Sequence, residues 1–419
     1  MLSALSNSLK VEELRNKILF VLAMIAVYRV GAHIPVPGVD PAALAELFEG
    51  EGLLGFLDMF AGGALSRFSI FAMSINPYIT ASIIMQLLTV VIPKLEELSQ
   101  QGREGQKKIA QYTRYGTIGL ALVQGFGITL WINNMGAIAN PSIFNLFTII
   151  ITLTAGTAFL MWVGEQINEK GIGNGISILI SVSILARFPS GAANMFTMLR
   201  AGTINFFNVI VFAVFAVLII AGIVYIQQGE RKIPVQYSKR VVGRKVYGGQ
   251  STHIPMKVNQ AGVMPVIFAS SVLLFPATIA RVLPFGFAQR ISEILSPGSI
   301  LYTVTYALAI IFFTYFYTAI QFNPRDVAEN LKKHGGFIPG RRPGRPTAEY
   351  LDKILTRITL AGAIFLAFVA ILPDFMMPLT GVEIMFGGTA LLIVIGVTLE
   401  TMKQIETQLL QRHYEGFME

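Results

Sequence analysis

The 419 residues are 53% hydrophobic and 13% charged, about half the charged share of an ordinary soluble chain, and the mean hydropathy is +0.62. So little charge excludes a chain whose whole surface faces water, and the absence of cysteine excludes disulfides and thiolate metal sites. The net charge of +8 fits cytoplasmic loops that meet anionic lipid headgroups, with nucleic-acid binding as the other reading.

The chain opens on charge. Lys10, Glu12, Glu13, Arg15 and Lys17 surround Val11 and Leu14, which predicts a short amphipathic helix within residues 1–17. The apolar run that follows reaches Val36 without a small-residue cleavage site, so it reads as a first, uncleaved span. A membrane span needs roughly 20 apolar residues. Ten segments qualify as candidates: 17–36, 70–92, 112–134, 145–164, 175–188, 205–228, 259–283, 299–321, 354–373 and 384–402. The fifth is short and rests partly on the resemblance described below. Residues 53–66, LLGFLDMFAGGALS, are apolar but too short to cross, and Gly62-Gly63 breaks the helix there. The expectation is a half-helix folded in at the outer side, with Asp58 and Arg67 reaching water. A re-entrant or interfacial segment that only packs is its plainer reading.

Lysine and arginine set the orientation. Alternate loops, with both termini, hold 26 of the 32 basic residues, and the other side holds six arginines. Both termini are therefore expected in the cytoplasm. Two of the basic loops are long, 229–258 and 322–352. A topology signal needs only a few charges beside each helix, so their length favours a docking surface for a large partner. Gly171-Ile172-Gly173-Asn174-Gly175 mimics a phosphate loop, but no Lys-Ser/Thr follows and no βαβ pattern surrounds it. It reads instead as a loop that lets span five start close to its neighbours. The four histidines have no metal-ligand spacing, and no nucleophile–base constellation is present. No cofactor, metal or catalytic residue is expected.

The chain also echoes itself. Pro77–Ser82 in span two and Pro265–Ser270 in span seven both read Pro-x-Ile-x-Ala-Ser, 188 residues apart. Spans five and ten share the spacing of Gly175 and Ile180 with Gly388 and Ile393. Two halves of five spans begin on opposite sides of the membrane. Duplication then gives an inverted repeat, with a pathway at the interface between the halves.

FAMSINPYITASIIMQLLTVVIPKL (71–95) resembles the second helix of the SecY family, the channel subunits of the Sec protein translocon. LDMFAGGALSRFSIF (57–71), QYTRYGT (111–117), GEQINEKGIGNGISI (164–178), QSTHIPMKVNQAGVMPVIFASS (250–271), FNPRDVAENLKKHGGFIPGRRPG (322–344) and FGGTALLIVIGV (386–397) resemble it too. The likeness runs in order along nearly the whole chain. Ser74 stands where glycine is expected, and Lys170 where arginine is usual.

The resemblance implies an all-α polytopic membrane protein of about ten transmembrane helices. They form two pseudo-symmetric, inverted five-helix halves, a clamshell around a central pore. The halves are residues 1–188 and 205–419, joined by an external hinge region, 189–204. The pore ring is Ile75, Ile79, Ile176, Ile180, Ile267 and Ile393. The half-helix becomes a plug, through Phe56, Leu57, Met59, Phe60, Gly62 and Gly63. The lateral gate lies between spans two and three and spans seven and eight, at Thr80, Gln124 and Asn259. Docking falls to Arg231, Lys232, Arg244, Lys245 and Arg342. The implied partners are SecE, SecG, the motor ATPase SecA, the ribosome through its RNA, signal sequences, nascent chains and anionic lipids. The implied place is the bacterial cytoplasmic membrane. The implied function is a passive, partner-driven channel for unfolded secretory polypeptides that releases membrane helices sideways into lipid.

Physical chemistry supports an aliphatic ring. A channel for chains of any sequence gains nothing from fixed charges, which bind some chains and repel others. A narrow collar of branched aliphatics offers no hydrogen bonds, tends to dewet and makes an ion shed its water. Taken singly, each isoleucine reads as ordinary helix packing. The rival reading is a secondary transporter of a small solute, which an inverted repeat also fits. Transporters bury ionisable residues at mid-membrane, and here the span centres are almost free of charge.

Overall fold

The computed structural model describes residues 10–40, 58, 60–138, 140–237, 240–242, 245–247, 251–282, 299–380 and 388–415. In chain order the elements are helices α1 (Glu12–Gly31), α2 (Asn76–Val91), α3 (Pro93–Gln100), α4 (Arg103–Asn134), α5 (Ile143–Lys170), α6 (Gly175–Leu185), α7 (Phe188–Arg200) and α8 (Phe206–Gln228). Strands β1 (Glu230–Tyr237), β2 (Arg240–Val242), β3 (Lys245–Tyr247) and β4 (Ser251–Lys257) follow. Then come α9 (Met264–Val282), α10 (Ile300–Gln321), α11 (Pro324–Lys333), β5 (Gly336–Phe337), α12 (Arg345–Thr380) and α13 (Gly388–Glu415).

Each of the ten expected spans holds a helix: α1, α2, α4, α5, α6, α8, α9, α10, α12 and α13. Among the described residues seven helical stretches are long and apolar enough to cross a membrane by themselves. α2 and α3 form an eighth candidate, bent by 100° at Ile92. Proline in the first turn of α3 starts the new helix without losing a needed N–H. The helix starts are marked by side-chain caps: Ser142 accepts from Asn145 N at 3.2 Å, Asn174 from Ser177 N at 3.3 Å and Ser299 from Tyr302 N at 3.0 Å.

The bundle has a dry centre and an apolar exterior. One cluster of buried side chains joins α1, α2, α4, α5, α6, α9, α10, α12 and α13. α8 has a single buried residue, Ile223, and shows Phe206, Phe207, Val217 and Leu218 on its surface. In water so much exposed apolar area would drive association; facing lipid it costs nothing. Residues 12–200 and 206–415 meet at two seams. α9 packs against α2 and α4 on one side, and α13 packs against α6 on the other.

The structure corrects several expected boundaries. Span two was expected to start at residue 70, but α2 starts at Asn76. The residues before it are turns, with left-handed φ at Phe68 (44°) and Ser74 (54°). α4 and α12 run well past the expected spans. The external region 189–204 contains most of a helix, α7, that has no buried residue. The long basic loops also hold structure outside an all-α description. β1 and β4 pair antiparallel from Glu230↔Lys257 to Gln236↔Ser251, and β5 adds to β1 at Gln236↔Phe337. The order β4-β1-β5 joins loop 229–258 to loop 322–352 in one sheet. Ile233, Val235 and Met256 on the sheet pack with Leu331, Ile338, Leu351 and Leu355 in a second core.

Candidate functional site

The six isoleucines expected in the ring lie at or near helix starts. Ile75 caps α2 and Ile79 lies in its first turn; Ile176 and Ile180 lie early in α6, Ile267 early in α9 and Ile393 early in α13. All six are buried, from 0% exposure at Ile393 to 8% at Ile176, and all belong to the same apolar cluster. Four helices thus contribute branched aliphatic side chains to one buried apolar cluster. Glycine makes the approach possible at Gly175, where an added Cβ would run into the Gly164 carbonyl of α5. The GIGNG loop does what its sequence predicts: it lets α6 begin against its neighbour.

Residues 58–66 sit against this cluster. Phe56, Leu57 and Met59 lie outside the described residues. Asp58, Phe60 and Ala61 are helical, and Gly62 and Gly63 end the turn with φ of 64° and 84°. Only glycine adopts such angles without strain. Gly62 also touches α6, since an added Cβ would lie 3.0 Å from Ser183 Cα. Phe60, Ala61, Ala64 and Leu65 are buried with the isoleucines.

The segment is tied down by polar contacts. Three successive carbonyls accept side-chain hydrogen bonds: Phe60 O from Ser74 Oγ at 3.2 Å, Ala61 O from Tyr28 OH at 3.3 Å and Gly62 O from Arg29 Nη1 at 3.2 Å. These are orphan carbonyls of a helix end, which need such partners when buried. Tyr28 OH also makes a short hydrogen bond with Ser183 Oγ. Asp58 Oδ1 accepts from Leu65 N at 3.0 Å and Ser66 N at 2.9 Å, and Oδ2 pairs with Arg187 Nη1 at 3.3 Å. Asp58 is 1% exposed and is the one charged side chain in the buried class among the described residues. The expectation that Asp58 reaches water is therefore wrong: Arg187 and two backbone N–H groups replace the water. Arg67 is exposed, as expected.

The seam of α9 with α2 and α4 is different. Thr80 is buried, but its hydroxyl donates to Asn76 O on its own helix at 3.0 Å. Asn259 donates to Gly262 O at 2.8 Å, and its buried Oδ1 has no hydrogen-bond partner among the described residues. Gln124 is half-buried. No hydrogen bond joins these three residues among those described. Behind the seam, Phe268 of α9 meets Phe313 and Tyr317 of α10 edge-on, at 6.0 and 5.9 Å.

A polar cavity of about 1000 Å³ opens where α6 and α9 begin and α8 and α10 end. Asn174, Gln227, Gln260, Gln321, Glu400 and Gln404 line it. Amides are the commonest polar lining and can donate and accept hydrogen bonds, and Glu230, Lys257, Lys403 and Glu406 add charges of both signs. Beyond it stands the sheet. Arg231 and Lys232 are exposed on β1, with Lys232 Nζ 3.4 Å from Glu230, and Arg342 is exposed before α12. Arg244 and the Lys245 side chain lie outside the described residues. Among the described residues no group of three or more His, Cys, Asp or Glu is placed to hold a metal ion.

Comparison with known proteins agrees with this geometry. The sequence model of the SecY family matches residues 69–402. The protein translocase subunit SecY of Escherichia coli K12 is 49% identical over 414 residues, covering 96% of this chain and 94% of that one. The subunit of the same name from Halalkalibacterium halodurans is 50% identical over 432 residues, covering both chains fully. Two solved structures share the fold. One is a protein-conducting channel, with a TM-score of 0.67 at 17% identity, covering 94% of this chain and 92% of that one. The other is a SecY structure whose plug domain stabilises the closed state of the translocation channel and maintains a membrane seal. It has a TM-score of 0.66 at 18% identity, with the same coverage.

Proposed function

The chain belongs to the SecY family, and on that premise we propose that it is the protein-conducting channel of a bacterial cytoplasmic membrane. It passes unfolded secretory polypeptides across the membrane and releases apolar segments sideways into lipid. The observation that supports this reading is the burial of six isoleucines, from four helices and both halves of the chain, in one apolar cluster. Such a ring is soft enough to part around an extended chain and dry enough to hold back ions.

The remaining roles follow from position. Phe56–Gly63 is the plug, and its described residues Phe60 and Ala61 are buried in the same apolar cluster as the ring isoleucines. Thr80, Gln124 and Asn259 line the lateral gate, where α9 meets α2 and α4. The amide-lined cavity is the entry funnel on the cytoplasmic side, with both termini on that side. Residues 1–188 and 205–419 are the two shells of the clamshell, hinged through 189–204. The sheet is the platform for the ribosome or SecA, which supply the energy, and Arg231, Lys232, Arg244, Lys245 and Arg342 are its docking residues. SecE and SecG complete the complex. The rival reading of a solute transporter draws no support from family membership, and the buried carboxylate Asp58 is tied to the plug rather than to a central solute site.

Photocrosslinking tests the proposal. A crosslinker at Ile79 or Ile267 captures a signal-bearing precursor halted midway through transport by the reconstituted complex. A precursor that crosses without ever forming such an adduct removes the ring from the path and the proposal with it.

A further inference from the structure

Every polar partner named for residues 58–66 lies before residue 188. Tyr28 and Arg29 are on α1, Ser74 is in the turns before α2, Ser183 is on α6 and Arg187 stands between α6 and α7. Asp58 is the centre of the arrangement. At 1% exposure its Oδ1 accepts from two backbone N–H groups, while Oδ2, with no hydrogen bond among the described residues, lies 3.3 Å from Arg187 Nη1 as an ion pair. The α9 seam, by contrast, carries no cross-hydrogen bond at Thr80, Gln124 or Asn259 among the described residues.

We propose that Asp58 and Arg187 are positioning residues that latch the plug to the amino-terminal half, so that the plug and the lateral gate open in separate steps. The inference rests on the plug reading above. When α9 moves away from α2 and α4, both ends of each tie travel together and none of them stretches. Lateral opening therefore leaves the plug seated. Release needs a force on the plug itself, which a chain advancing through the ring supplies. An apolar segment that moves straight from the seam into lipid supplies none.

The test uses the full-length chain with its partner subunits in vesicles that enclose an ion reporter. Asp58→Asn keeps an acceptor for Leu65 and Ser66 but ends the ion pair; Arg187→Gln ends it from the exposed side. Each is expected to raise the resting ion leak about ten-fold or more, the scale of a weakened, partly buried ion pair. The double variant leaks no more than the worse single one, and Arg187→Lys restores most of the seal. Transport of a signal-bearing precursor by these variants confirms that they fold. The hydrophobicity a nascent segment needs to enter lipid stays unchanged in all of them. Deleting residues 58–66 separates the two ideas. If the deletion does not leak, the plug reading fails. If it leaks while Asp58→Asn and Arg187→Gln stay tight, the latch alone fails. Additive leaks in the double variant, or a shifted hydrophobicity threshold, also overturn the latch.

Discussion

In the proposed reading the plug seat and the lateral seam both close against the same ring, yet they are built from opposite forces. The seat has an ion pair, two N–H bonds to Asp58 and three capped carbonyls. The seam is apolar contact between α9 and α2 and α4, and its polar residues bond within their own segments. Directed bonds hold one geometry and let go abruptly. Apolar helix contacts in a membrane can be traded for lipid tails at little cost, because the tails are as apolar as leucine. A gate that opens into lipid gains from the second design. A stopper that must not drift gains from the first.

The sharpest way to break this contrast is to empty the seat. Asp58→Ala removes the carboxylate that pairs with Arg187 and accepts from the Leu65 and Ser66 N–H groups. Breaking a buried pair costs about 3–5 kcal/mol, and Arg187 is partly exposed, so about 3 kcal/mol is expected here. Ion leak through reconstituted vesicles reads it, and a leak below ten-fold of the parent contradicts it. Next comes the seam. Asn259→Leu removes a buried, unpaired carbonyl oxygen and should favour the closed seam by about 1–2 kcal/mol. Weakly apolar signal sequences should then fail first, measured as export of a graded series of signals; uniform loss across the series counts against this account.

Smaller effects sharpen the comparison. Ser74 sits at a φ of 54° and donates to Phe60 O. Left-handed backbone costs a non-glycine residue roughly 1–2 kcal/mol, and a net hydrogen bond returns about 1. Ser74→Gly should therefore leave thermal stability within about 1 kcal/mol while raising the ion leak a few-fold. A large loss in the melting temperature of the purified complex contradicts that balance. Thr80→Val should be the mildest, within about 0.5 kcal/mol, because the hydroxyl bonds only its own helix. If crosslinking yield between α2 and α9 changes several-fold in that variant, the seam has a polar tie after all.

Much of the fold was legible in the sequence, and the reasons are physical. Long apolar runs mark spans, and the alternation of lysine and arginine between the two sides sets their number. The repeated Pro-x-Ile-x-Ala-Ser tied spans two and seven, and the family resemblance named six isoleucines that are all buried in the central apolar cluster. The polar seat was not legible. A lone Asp58 in an apolar stretch reads as facing water, and its partner Arg187 lies 129 residues later. The turns before α2 were missed because FSIFAMSI is as apolar as a span. Pro77 in the first turn was the available signal, since proline favours the first turn of a helix. The sheet was missed because Gly and Pro interrupt the alternation of its strands, and pairing across long separations leaves no local trace.

The third strand of that sheet has a consequence for how the molecule is made. β1 begins at Glu230, whereas β5 ends at Phe337, and α9 and α10 lie between them. The sheet is therefore unfinished until residue 337 has left the ribosome and two further helices have been placed in the membrane. A newborn chain completes it late, after α2, α6 and α9 have already been synthesised.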